Sequence, residues 1–309
     1  MGKLNLSHFI GEVIGTVLLA KISPEGTAKN GKPYIKLTIT DGEVFEDICV
    51  FTKRTDFTIP EKSIIEVKLQ KNGEFINLIE YKKVDGDIKE YIPSAPEDGE
   101  LIFAKVIKTL SAIKGGIYKN NEQNTLFDLT IGVLTHYKDR LIIYPASDSY
   151  HHNCLGGMIY YIFQMLQDAY NLSKGSHKID IEVVASAVCL CEIGKLYTLT
   201  ADDMGTAERN LTGYIRNDVE LACNMVDAIA KAGDYNSNKV AALMIAIRSS
   251  RCKRAWGNTI EPITEEALFV STLATLVSKA DIYESVKKGL NPGEISEKNE
   301  KLGYPVLNI

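Results

Sequence analysis

The 309-residue chain has no apolar run long enough to cross a membrane, and no charged-then-apolar leader opens it. A protein that neither spans a bilayer nor is exported is therefore expected. Neither sign of charge dominates: 35 Lys and Arg stand against 40 Asp and Glu, for a formal charge of −5. That balance gives no global pull toward nucleic acid, so any such binding must come from a local basic patch. The cysteines (Cys49, Cys154, Cys189, Cys191, Cys223 and Cys252) lack the spacing of a disulfide framework and lie in apolar or helical stretches. A reduced, cytoplasmic protein follows. Cys189 and Cys191 are two apart on a predicted helix and project to nearly opposite sides, so they cannot share a metal ion and read as buried thiols. Repeats and low-complexity tracts are also missing, which excludes solenoids and propellers.

What remains is ordinary globular material, 45% hydrophobic and 24% charged, in a length that suits two domains. Residues 10–80 read as five strands. A long β-rich run at 10–22 is followed by the turn segment SPEGTAKNGKP. Residues 34–40 alternate outward Tyr34, Lys36 and Thr38 with inward Ile35, Leu37 and Ile39, the period of a half-buried strand. Asp41-Gly42 predicts a tight turn into 44–51, and Lys71-Asn72-Gly73 predicts a second hairpin joining 63–70 to 74–80. Five short strands with a long first one suit a closed barrel of the OB type, against a generic β-sandwich or SH3-like barrel. Such barrels hold single strands by stacked aromatics and a cationic groove. The candidates here are Lys32, Tyr34, Lys36, Phe51, Lys53 and Arg54, and the alternative is a plain solvated strand face.

Residues 84–100 (VDGDIKEYIPSAPEDGE) are rich in turn formers and acids and read as a linker. Helical patterns follow at 101–113, where Gly115-Gly116 is expected to break the helix, and then at 123–144, 209–232, 237–249 and 264–288. Thr264 with Glu265 and Glu266 is a helix-start signal. The tail after Pro292 is polar and is expected to be loosely held. Between these lies the stretch SDSYHHNCLGGMIYYIFQMLQDAYNL, a polar break, and IDIEVVASAVCLCEIGKLYTL. It joins two apolar helices, the second ending on Glu192-Ile193-Gly194-Lys195.

That layout resembles the core of an HD-domain phosphohydrolase, in which His residues and a His-Asp pair hold divalent metal. Most of the chain is similar to the YhaM-like family of 3′-to-5′ exoribonucleases, which join an OB domain to an HD domain. The stretches NGKPYIKLTITD, YIPSAPED, YPASDSYHHNCLGGM, EIGKL, NLTGYI and SSRCKRAWGN carry the likeness, in the family's order, and EEAL then leads to NPGE. The resemblance implies an α+β multidomain protein. An OB-type five-stranded barrel at 1–83 and a linker at 84–100 precede an all-α HD-like domain at 101–295 and a tail at 296–309.

Carried over residue by residue, the family's metal ligands fall on Tyr161, on Cys191 and Glu192, on Tyr214, on Ser250 and Arg251, and on Ala274. None of the seven positions keeps its His or Asp, and Glu192 alone could still ligate. One carboxylate cannot orient an ion to generate a metal hydroxide, so the resemblance implies a frame that has lost its metal chemistry, and no metal or cofactor is expected. His151, His152, Gly156, Gly157, Lys195, Lys253, Trp256 and Gly257 survive from the pattern. His151-His152 reads either as a turn capping the first core helix or as a phosphate contact.

The leading reading is an inactive relative that binds nucleic acid or serves as a scaffold. The barrel would supply one site, and Lys195, Arg248, Arg251, Lys253 and Arg254, with His151 and His152, a second around the former pocket. Partners would be single-stranded RNA or DNA, a protein, or further copies of the chain. An altered phosphodiesterase using Glu192, Asp202 or Asp203, and a structural oligomerisation protein, are the alternatives. An unpaired Glu192 inside a helical core would be costly, so Arg251 is expected to pair with it, and Tyr161 and Tyr214 are expected to fill the space left by imidazoles.

Overall fold

A computed structural model describes the chain apart from residues 1, 7, 8, 10, 73, 74, 121, 176, 177 and 252–256, and apart from the side chains of 72 and 75. The protein is α+β, with compact units at Met1–Ser94 and Ala95–Ile309.

The first unit is an antiparallel sheet. Its strands are β1 (Gly11–Ile22), the short β2 (Gly26–Thr27), β3 (Pro33–Thr40), β4 (Phe45–Val50), β5 (Ser63–Asn72) and β6 (Phe75–Lys83). The long β1 pairs with β3 on one side and β5 on the other; β4 extends β3, and β6 extends β5. The alternation in β3 survives into the structure, with Ile35, Leu37 and Ile39 fully buried while Lys36 is exposed. These three pack with Val17, Leu19, Ile48, Ile65 and Leu69, each worth about 1.5–3 kcal/mol when withdrawn from water. The β3–β4 turn is fixed by Asp41, whose carboxylate accepts from the backbone N–H groups of Leu6, Glu43 and Val44. The predicted linker is not all free chain. Tyr91 is buried in the first unit, its hydroxyl 2.8 Å from that of Thr16.

The second unit is helical: α1 (Gly99–Ile117), α2 (Leu126–His136), α3 (Lys138–Leu141), α4 (Gly157–Ser173), α5 (Ile181–Leu190) and α6 (Lys195–Thr198). The hairpin β7 (Leu199–Ala201) and β8 (Ala207–Arg209) comes next, and α7 (Leu211–Ile215), α8 (Asp218–Ala232), α9 (Ser237–Arg248) and α10 (Glu265–Lys288) complete it. Residues Glu182 to Leu190 of α5 are all buried, as suits a central helix that is apolar over most of its surface, and the charge of Glu182 at its start is paired with Lys239. It is enclosed by α1, α2, α4, α9 and α10.

Three expectations are corrected. The first helix runs through Gly115-Gly116 to Ile117. Buried Ile113 and the Lys114–Asp128 ion pair at 2.5 Å anchor its last turns, and that outweighs a cost near 1 kcal/mol per exposed glycine. The single helix expected at 209–232 is interrupted, because Arg216 is extended and Asn217 caps α8 by accepting from the N–H groups of Val219 and Glu220. The tail is tied down rather than loose. Leu302 and Val306 pack on Ile282, Ser296 N–H donates to Val306, and Tyr150 donates to the Lys301 carbonyl.

Candidate functional site

α5 ends in the turn that carries Glu192, whose side chain is only 2% exposed. Lys195, opening α6, reaches back to that carboxylate at 2.5 Å and also donates to the Ala146 carbonyl. Gly194 lets the start of α8 approach this turn, because a Cβ there would stand 1.9 Å from the Asp218 carbonyl oxygen. Arg251, just beyond α9, completes the cluster. One guanidinium nitrogen, Nη2, lies 2.6 Å from Asp218 Oδ2 and 3.3 Å from Glu192 Oε2, while its backbone N–H donates to Asn258 Oδ1 at 2.7 Å.

The expected Arg251–Glu192 contact is therefore present. It belongs to a four-residue network in which Asp218 is the shorter partner. Burial works against the charge on Arg251, but Glu192 and Asp218 outweigh it and hold the guanidinium protonated beyond its ordinary range. Burial likewise works against the Asp218 charge, and Arg251 and Lys195 override it, so its carboxyl sits below the usual range.

This network floors a cavity of about 500 Å³. Tyr161 stands in the wall, donating its hydroxyl to the Ala274 carbonyl of α10 at 2.9 Å. Burial, then Glu192, keeps that hydroxyl protonated well above the usual range. The His151 ring packs on Tyr161 with centroids 4.6 Å apart. Burial and Lys195 hold His151 neutral, far below the ordinary histidine range. Arg209, Arg216 and Lys279 also line the cavity. Ser250 is fully buried in its wall, and neither Ser250 Oγ nor Arg251 Nε has a hydrogen-bond partner among the described residues.

The remaining candidates are placed differently. Tyr214 is 76% exposed and does not fill the cavity: its neighbour Gly213 packs against Thr198, turning the ring outward. Cys191 is buried, with its thiol toward the Val188 carbonyl. His152 does not line the cavity: its Nε2–H donates to Gln164 Oε1 (2.7 Å) while its backbone N–H donates to Asp281. Arg248 pairs with Glu220 at 3.6 Å, and Lys253, Arg254 and Trp256 lie outside the described residues. Asp202 caps the β7–β8 turn through Met204, Thr206 and its hydroxyl. In the first unit Lys32, Lys36, Lys53 and Phe51 are exposed. Tyr34 lies over Gly26, with its ring 6.5 Å from that of Phe51, and Arg54 donates to the Phe57 carbonyl.

Asp218 was missed in the sequence because it is no ligand position of the resembled pattern. Its location at the first residue of a helix after a capping Asn was the available signal.

The donors present do not fit a divalent ion. Among the described residues no three His, Cys, Asp or Glu side chains cluster for one. Glu192 and Asp218 are already bonded to cationic nitrogens that a metal would have to displace.

No family model and no solved structure matches the chain. Curated relatives do match along its length. The 3′-5′ exoribonucleases YhaM of Listeria monocytogenes, Listeria innocua and Listeria welshimeri are each 24% identical over 310 residues, covering 96% of this chain and 95% of theirs. The chain is thus a distant, full-length relative of these 3′-5′ exoribonucleases.

Proposed function

We propose that the protein is a member of this exoribonuclease family that binds single-stranded nucleic acid without hydrolysing it, its HD-type site having exchanged metal for a guanidinium. The boundaries we assign are a barrel over 1–83, a linker over 84–100, an HD-type domain over 101–295 and a closing segment over 296–309. Full-length similarity supports the family. The strand order of the first unit, with β4, which pairs β3, also lying near β6 at the far end of the sheet, supports an OB-type barrel. The observation that carries the loss of chemistry is the position of Arg251. Its permanent charge bridges the buried Glu192 and the partly buried Asp218 carboxylates where the resemblance expects a metal-binding imidazole. A fixed cation can hold a phosphate but cannot lower the pKa of a water to make a nucleophile.

Tyr34, Phe51, Lys32 and Lys36 give the first unit an aromatic pair beside exposed lysines, the combination that holds single strands with little sequence preference. End-labelled single-stranded RNA incubated with the protein and Mn²⁺ tests the reading. Salt-sensitive retention of full-length RNA is expected. Metal-dependent shortening from the 3′ end that disappears in Glu192→Gln would favour an altered phosphodiesterase instead.

A further inference from the structure

Between Glu266 and Lys279, α10 carries twelve consecutive residues without a charge, ALFVSTLATLVS. A helix with one face in water normally places charged side chains there. The buried side of this segment is supplied by Ala267, Val270, Leu273, Ala274 and Val277. On the other side Leu268, Thr272 and Leu276 stand exposed, the two leucines by 54% and 55%. Spaced four apart, these three form one stripe, because four residues advance a helix by only about 40° beyond a full turn. An uncharged stripe left in water over three turns marks a surface that meets a partner.

The stripe and its flanks are symmetric about Thr272. Leu268 and Leu276 lie four residues to either side of it, and Glu265 and Lys279 seven to either side. All five fall within about 80° of one another around the helix axis. Glu265 is exposed and has no ion-pair partner among the described residues, whereas Glu266 beside it already accepts from the Asp180 N–H. Lys279 is half-buried, lies 5.8 Å from the centre of the Tyr304 ring and likewise has no carboxylate partner among the described residues. A two-fold axis through Thr272 sets Leu268 against Leu276 and Glu265 against Lys279, once at each end of an antiparallel helix pair. An unrelated partner has no need of this symmetry. A second copy does, since a two-fold interface uses the same patch on both subunits.

We propose that α10 is a dimerisation face, on which a second copy of this chain packs antiparallel through Leu268, Thr272 and Leu276, with Glu265 and Lys279 pairing across both ends. Contact positions three and four residues apart suit helices crossing at about 20°. One helix pair is small against the roughly 1,200–2,000 Å² of a stable complex, so the dimer forms reversibly.

Sedimentation equilibrium of the full-length protein over roughly 1–200 µM, where a small interface associates, should show monomer and dimer in exchange. Leu276→Asp should weaken the dimer about tenfold or more by placing an unpaired charge in the stripe, with helical circular dichroism unchanged. Glu265→Lys alone and Lys279→Glu alone should each weaken it about fivefold through like charges brought face to face, and the two in one chain should restore it to within about twofold of the parent. Thr272→Cys should yield a disulfide-linked dimer under mild oxidation, because residues on the axis of a close helix pair come within disulfide reach. Glu284→Cys, exposed well round the helix from the stripe, should cross-link no more than the parent. A monomer throughout the concentration range would overturn the proposal. So would a dimer unaffected by Leu276→Asp and by the charge reversals, or one that cross-links no better through Thr272→Cys than through Glu284→Cys.

Discussion

Replacing Arg251 with alanine removes the cation that holds Asp218 and helps to hold Glu192. Breaking a fully buried pair costs about 3–5 kcal/mol, because the remaining charge is left without compensation. Here the Arg251 and Asp218 side chains are 20% and 21% exposed, so water screens part of the loss, and Glu192 keeps Lys195 at 2.5 Å. The expected cost is therefore about 2–3 kcal/mol, below the range for a fully enclosed pair. Asp218→Asn, added to Arg251→Ala, removes the stranded charge and should recover about 1 kcal/mol or more, a coupling typical of contacting residues. Urea unfolding followed at 222 nm reads the helical unit, since the α-helices lie in Ala95–Ile309. A cost of Arg251→Ala below about 0.5 kcal/mol, the range of an ordinary surface substitution, with no coupling to Asp218, would refute the reasoning.

Gly194→Ala should destabilise the helical unit by at least about 1–3 kcal/mol, the usual cost of overpacking, because its Cβ would meet the Asp218 carbonyl; a variant as stable as the parent in urea contradicts the close approach. Burial holds His151 and, against the pull of Asp281, His152 below 6.5 in the fold. The unfolded chain therefore takes up more protons as pH falls from 7 to 5, and stability should drop by up to about 1.4 kcal/mol per pH unit for each histidine. Asp218 adds nothing in that window, since its depressed carboxyl contributes stability above about 3.8 and loses it only at lower pH. Equal urea midpoints at pH 7 and 5 would count against both buried histidines. Tyr34→Ala should weaken single-stranded RNA binding by about 1–3 kcal/mol if one base stacks there, and unchanged anisotropy titrations would remove the first unit as the binding surface.

What the sequence announces is what short-range physics decides. The β3 alternation places Ile35, Leu37 and Ile39 inside because its period matches the pleat, and Asp41-Gly42 turns the chain as its chemistry requires. Thr264 caps α10 by accepting from Ala267 N–H. Misjudgements occur where tertiary contacts outweigh local preference. Gly115-Gly116 stays helical because neighbouring turns are anchored, and the polar tail is ordered by two buried apolar residues, Leu302 and Val306. In the site, the Arg251–Glu192 contact follows from the cost of burying an unpaired carboxylate. The shares taken by Asp218 and Lys195 depend on how closely α8 and the turn after α5 approach, which residue spacing alone does not encode. Tyr214 shows the converse, since a large ring expected inside stands outside when Gly213 packs against Thr198.

The proposed exchange of metal for guanidinium is tested most directly by titrating the metal-free, untagged protein with Mn²⁺ and following free ion by electron paramagnetic resonance. The Arg251–Glu192–Lys195–Asp218 network predicts no stoichiometric site at micromolar Mn²⁺ and no gain when Glu192 is changed to Gln. One tightly bound ion per chain, lost in Glu192→Gln, would contradict it.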